Sequence, residues 1–117
     1  MITVDDVCAQ RESMLRTLEQ VVNLESPSHE KAALDRLGDY LRQRCDELGG
    51  QVERLRQDEH GDLTVARWSG TRDGDPVLVM THIDTVWPLG TLERKPFVVD
   101  GDIARGPGVY DMKASVP

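Results

Sequence analysis

Apolar residues recur at Val7, Leu15, Leu18 and Val22 near the helical period, and Thr3 followed three positions on by Asp6 makes a capping-box-like start. The spacing predicts a first helix from there to about Leu24. Ser26-Pro27 stops it, because the residue before a proline is pushed out of the helical region. A second helix restarts near Ser28, with Glu30 in its first turn and Leu34, Leu37, Leu41, Cys45 and Leu48 on one stripe. Gly49-Gly50 ends it.

The period then changes from helical to alternating. Gln51–Arg56 and Asp62–Trp68 each alternate apolar and polar, and Asp58-Glu59-His60-Gly61 lies between them, which predicts a hairpin. Ser69 to Asp75 is polar and glycine-containing and reads as a surface loop. Val77 to Met80 is a continuous apolar run bounded by Pro76, the pattern of a short strand buried on both faces of a sheet. Phe97-Val98-Val99 is a further short strand ending at Asp100-Gly101, and an incipient helix follows Asp111. The predicted class is α/β: two helices packed on a mixed β-sheet, in one domain over residues 1–117. A strand apolar on both sides needs cover on both sides, and two helices do not supply it. The expectation is therefore an incomplete domain, the N-terminal piece of a larger one.

Composition narrows the partners. The formal net charge of -7 disfavours nucleic acid and anionic membrane, both of which repel an acidic surface. No apolar run has the length of a membrane span, and Met1 to Asp6 has neither the basic nor the apolar region of a secretory signal, so a cytoplasmic location is the default expectation. Aromatic residues make up only 4%, which leaves a modest core. Cys8 and Cys45 lack metal-ligand spacing and read as buried or half-buried core residues.

The chemistry is concentrated after Pro76. Residues two apart in a strand point to the same side, so His82 and Asp84 are expected to lie together above one face. An imidazole beside a carboxylate is a usable metal ligand with its orienter. Gly106-Pro107-Gly108 permits a sharp turn and a close backbone approach, and Asp111 leaves that turn. The Trp87-Pro88 break and Gly90 let the chain leave the sheet and return to the same rim, so that His82, Asp84 and Asp111 converge. Read singly, Asp111 is also a normal helix N-cap, and both roles are compatible. His29 and His60 read as solvated, and Arg94, Lys95, Arg105 and Lys113 as surface charge rather than holders of a substrate carboxylate. The glycine turn lacks the ending of a phosphate cradle.

The stretch from Val77 to Lys113 resembles the metal-binding core of the M20 family of zinc peptidases, whose pattern is His-x-Asp at a strand end and later Gly-x-Gly-x-x-Asp-x-Lys. His82 to Val86, Gly101-Asp102 and Gly106-Pro107-Gly108 are most similar to its carboxypeptidase G2 (glutamate carboxypeptidase) branch. The resemblance implies that His82 and Asp111 are metal ligands, Asp111 bridging two Zn2+ ions, and that Asp84 is the catalytic-site residue that fixes the His82 tautomer. It implies a cis peptide between Asp111 and Met112. It implies hydrolysis of an amide bond in a small peptide, releasing a C-terminal residue such as glutamate, or in an N-acyl amino acid by a deacylase or desuccinylase. A homodimer is implied for the full-length parent. Ala114-Ser115 stands where the family has Gly-Gly, and the further ligands, the glutamate base and the lid domain lie beyond Pro117 in the family. The chain alone is accordingly expected to be inactive; the alternative is a non-catalytic remnant that associates through its apolar strand.

Overall fold

Thr3 caps the first helix as its spacing to Asp6 predicts: the Asp6 amide donates to Thr3 Oγ1 at 3.2 Å and the Thr3 amide donates to Asp6 Oδ2 at 2.8 Å. The computed structural model describes residues 1–71 and 73–117. The helix that follows is shorter than the periodicity suggests. It runs Val4–Ala9 (α1), turns at Gln10, and gives way to a separate helix over Arg11–Asn23 (α2). α1 contributes no buried residue, so no core contact holds it in line with α2, whose buried positions are Leu18, Val21 and Val22.

The next helix, Lys31–Glu47 (α3), starts three residues later than its stripe predicts. The reason is tertiary. Ser26–Ser28 is drawn into a parallel bridge with Thr85, in which the Thr85 amide donates to Ser26 O at 2.8 Å and the Ser28 amide to Thr85 O at 3.1 Å. The buried apolar residues are Leu18, Val21 and Val22 of α2 and Ala33, Leu34 and Leu37 of α3, and they make up the core. Its stripe then opens: Leu41 and Cys45 are half-buried and Leu48 is exposed. These join Leu63, Trp68 and Val79 along a groove of about 770 Å³ that His82 and Asp84 also line.

The predicted hairpin is present. Gln51–Leu55 (β1) pairs antiparallel with Leu63–Arg67 (β2), Gln51 opposite Arg67, and α3 packs on both strands. Asp62, with its side chain 3% exposed, ties the three together: Lys31 Nζ donates to Oδ1 at 2.7 Å, Arg54 Nε to Oδ2 at 2.5 Å and the Gln57 amide to Oδ1 at 2.9 Å. The lysine bond, the backbone amide and the arginine together hold the Asp62 carboxyl far below the ordinary carboxylate range. Val98–Asp100 (β3) likewise ends at Gly101, and it turns there into a strand the sequence reading missed, Ile103–Arg105 (β4).

Two expectations are corrected. The α/β class holds, but among the described residues the strands form two separate two-stranded antiparallel sheets instead of one mixed sheet, and the parallel element is reduced to the isolated Pro27–Thr85 bridge. Val77–Met80 is not a buried strand: its four side chains are 78% to 89% exposed and its backbone makes no hydrogen bond to another described residue. A segment apolar on both faces needs neighbours at both edges and a layer on each side, and here α3 packs on the β1–β2 hairpin and α2 on the turn at Lys113–Ser115. The accessible surface is 8919 Å², against about 6,400 Å² for a compact monomer of this mass. The radius of gyration is 15.4 Å rather than about 13.4 Å, and the molecule is a slab only 20 Å thick. Cys8 is also exposed rather than buried, whereas Cys45 is half-buried as expected. Among the described residues no helix is long and apolar enough to cross a membrane.

Candidate functional site

His82 and Asp84 are presented by an extended segment laid against the end of α2. Ser26 Oγ donates to Ile83 O at 2.7 Å, which together with the Thr85 bridge fixes the backbone on both sides of Asp84. Ser28 Oγ then donates to Asp84 Oδ2 at 2.5 Å. The other carboxylate oxygen, Asp84 Oδ1, lies 3.1 Å from His82 Nδ1, and Asp84 O lies 3.2 Å from the same nitrogen. The Ser28 hydroxyl, outweighing partial burial, holds the Asp84 carboxyl below its usual value, and His82 adds to the effect. The two-residue spacing thus puts imidazole and carboxylate side by side, as expected, although the segment before them is unpaired.

Asp111 arrives on a second arm. Gly108 takes a left-handed φ of 74°, and a Cβ there would lie 2.4 Å from Thr85 Cγ2, so the glycine turn is what lets this loop close on the His82 segment. Lys113 anchors the same loop. It is 1% exposed, not the surface charge its composition class suggests, and its Nζ donates to Val21 O at 2.9 Å and Leu24 O at 2.8 Å, carbonyls at the end of α2. Burial pushes the Lys113 pKa down to about 8, with Glu25 pulling the other way. Glu25 itself accepts from the Gly90 amide at 2.8 Å and the Leu92 amide at 3.0 Å, closing the N-terminus of the 3-10 turn Thr91–Glu93. The Asp111–Met112 peptide is cis.

The two arms meet at His82 Nε2, which lies 2.9 Å from Asp111 Oδ1. Burial works to lower the His82 pKa, but the Asp111 carboxylate and then Asp84 outweigh it, and the net shift is upward. Asp111 does not act as an N-cap. The terminal helical piece is a single 3-10 turn, Lys113–Ser115, preceded by Met112 with no side-chain cap.

An imidazole nitrogen and a carboxylate oxygen are the right donor types for zinc, and here they lie together at hydrogen-bond distance, 2.9 Å. Their number is short. A catalytic zinc takes three protein ligands, and among the described residues no group of three or more His, Cys, Asp or Glu is arranged to hold a metal ion. The donor set fits as part of a centre and not as a whole one, so no hydrolytic step is assigned to it.

Of the other residues singled out, His29 and His60 are exposed, as are Arg94, Lys95 and Arg105. Lys95 Nζ sits 4.7 Å over the Trp87 ring. The reading from sequence missed Ser26, Glu25 and Ser28, three polar residues beside Pro27 that all face inward. Its one available signal was a serine pair flanking a proline directly after an amphipathic helix.

No family model matches the chain. It is 35% identical over 106 residues to carboxypeptidase G2 of Pseudomonas sp. (strain RS-16), an alignment covering 89% of this chain and 25% of that protein. The chain spans about a quarter of the length of the curated relative it matches, and over that quarter it is a distant relative of carboxypeptidase G2.

Proposed function

We propose that this chain carries the first part of the metal centre of an M20-type zinc carboxypeptidase. His82 and Asp111 are its metal donors, and Asp84 is the carboxylate that orients the imidazole. One observation carries the reading: His82 Nε2 faces Asp111 at 2.9 Å while Nδ1 is held by Asp84, so the ring has one nitrogen fixed and the other turned toward a carboxylate. The 35% identity to carboxypeptidase G2 supports it. A centre completed by further donors would serve amide hydrolysis that releases a C-terminal residue such as glutamate. With two donors, the 117-residue chain does not turn over such a substrate itself.

Calorimetric titration of Zn2+ into the purified chain, His82→Ala and Asp111→Asn tests this. The expected result is one weakly held ion, lost in both variants. Absence of binding, or binding undiminished in both, overturns the metal-donor assignment. Zinc-dependent release of C-terminal glutamate by the chain, abolished in His82→Ala, overturns the claim that it is inactive alone.

The exposure of Val77–Met80 favours a second reading, association through this segment, because an unpaired apolar stretch is a template for strand addition.

A further inference from the structure

The segment Val21–Ser28 touches both arms of the site. Ser26 and Ser28 hold the arm that bears His82 and Asp84, and the carbonyls of Val21 and Leu24 receive Lys113 from the arm that bears Asp111. A buried ammonium is an expensive way to fill space, since a charged group removed from water needs its hydrogen bonds replaced. A leucine or methionine would pack without that cost, and the last carbonyls of a helix are commonly satisfied by water or a glycine motif. What an apolar side chain cannot do is fix register. Two directional bonds to named carbonyls allow the loop one position along the end of α2, and Asp111 is two residues away.

From this we infer that Lys113 is a positioning residue: its bonds to Val21 O and Leu24 O set the Asp111 carboxylate against His82 Nε2. The assignment rests on the reading of His82 and Asp111 as the site, but it is a statement about the chain without metal. Gly108 supplies the close approach to Thr85, and the amides of Lys113 and Ala114 close the loop on Gly108 O at 2.9 Å and Val109 O at 3.0 Å. Gly106 also lies against Val22, but among the described residues the hydrogen bonds that tie this loop to the helix end seating Asp84 come from Lys113.

The test reads the His82 ring by ¹⁵N NMR without metal, in a cycle of wild type, Lys113→Met, Asp111→Asn and the double variant. Lys113→Met is expected to give the His82 ring shifts of Asp111→Asn, and the double variant to add nothing further. A folded Lys113→Met with wild-type His82 ring shifts overturns the inference. If Lys113→Met does not fold, native-state hydrogen exchange on the wild type decides. The Lys113 and Ala114 amides and the Asp111-dependent His82 signal are expected to be lost in one opening event. Loss of the His82 signal while those amides stay protected overturns the inference. Zinc titration fails or succeeds independently of both readouts, so failure of the metal-donor reading is distinguishable from failure of this one.

Discussion

Gly108 and Thr85 are in contact so close that the glycine has no room for a side chain: a Cβ would stand 2.4 Å from Thr85 Cγ2. The backbone at Gly108 is also left-handed, with φ of 74°. Gly108→Ala is expected to destabilise the chain by at least about 1 kcal/mol from the backbone alone, and more from the clash. Adding Thr85→Ser, which deletes the offending methyl, is expected to restore the clash portion and leave the backbone portion. Urea midpoints of the two variants, compared with Thr85→Ser alone, measure both.

Asp62 gives an acid-dependent prediction. Its folded pKa is depressed, so its contribution is fully present above the unfolded value of about 3.9 and is lost as pH falls toward the folded pKa. Asp62→Asn is expected to lower the urea midpoint near pH 7, an effect moderated by the Lys31 and Arg54 partners, whose side chains are each 35% exposed. The gap between wild type and Asp62→Asn should stay constant from pH 7 to about 5 and narrow below about pH 4. A gap that does not change with pH would show that Asp62 acts by packing alone.

His82 titrates in the opposite sense. Its pKa is raised, so any stability it lends is complete below the ordinary histidine value of about 6.5 and disappears as pH rises through the folded pKa. Asp111→Asn removes the carboxylate on Nε2 and is expected to bring the midpoint down, with Asp84→Asn adding a further decrease. Ring proton shifts followed against pH check this; a midpoint unmoved by Asp111→Asn would mean the pair is not formed in solution.

The exposed run Val77–Met80 predicts concentration-dependent association. Val79→Lys places a charge in the middle of the run and is expected to shift the sedimentation profile toward monomer, while leaving the hairpin and the His82 ring shifts unchanged. A wild-type chain that sediments as a monomer at every concentration would remove the association reading.

What the sequence revealed depended on whether a feature was local. The Thr3–Asp6 cap, the β1–β2 hairpin and the His82–Asp84 adjacency all follow from spacing within a few residues, and all are present. The convergence of Asp111 on His82, 29 residues apart, was legible only because the glycine turn and the motif order pointed to it. Val77–Met80 misled because an apolar run reports a demand for burial, not the presence of neighbours to satisfy it. Lys113 misled for the converse reason: lysine is almost never fully buried unless partnered, and its partners are backbone carbonyls at Val21 and Leu24, which no side-chain pattern displays.

The segment that leaves α2 behaves as a ruler. Turns after helices ordinarily absorb added or deleted residues at little cost. Here Leu24 is fastened to one arm and Ser26 and Ser28 to the other, so a single residue inserted between Leu24 and Ser26 would slide the two arms past each other by up to about 3.5 Å. His82 and Asp111 would each keep every neighbour on its own arm and still no longer meet. Length, more than composition, is the property this connection has to preserve.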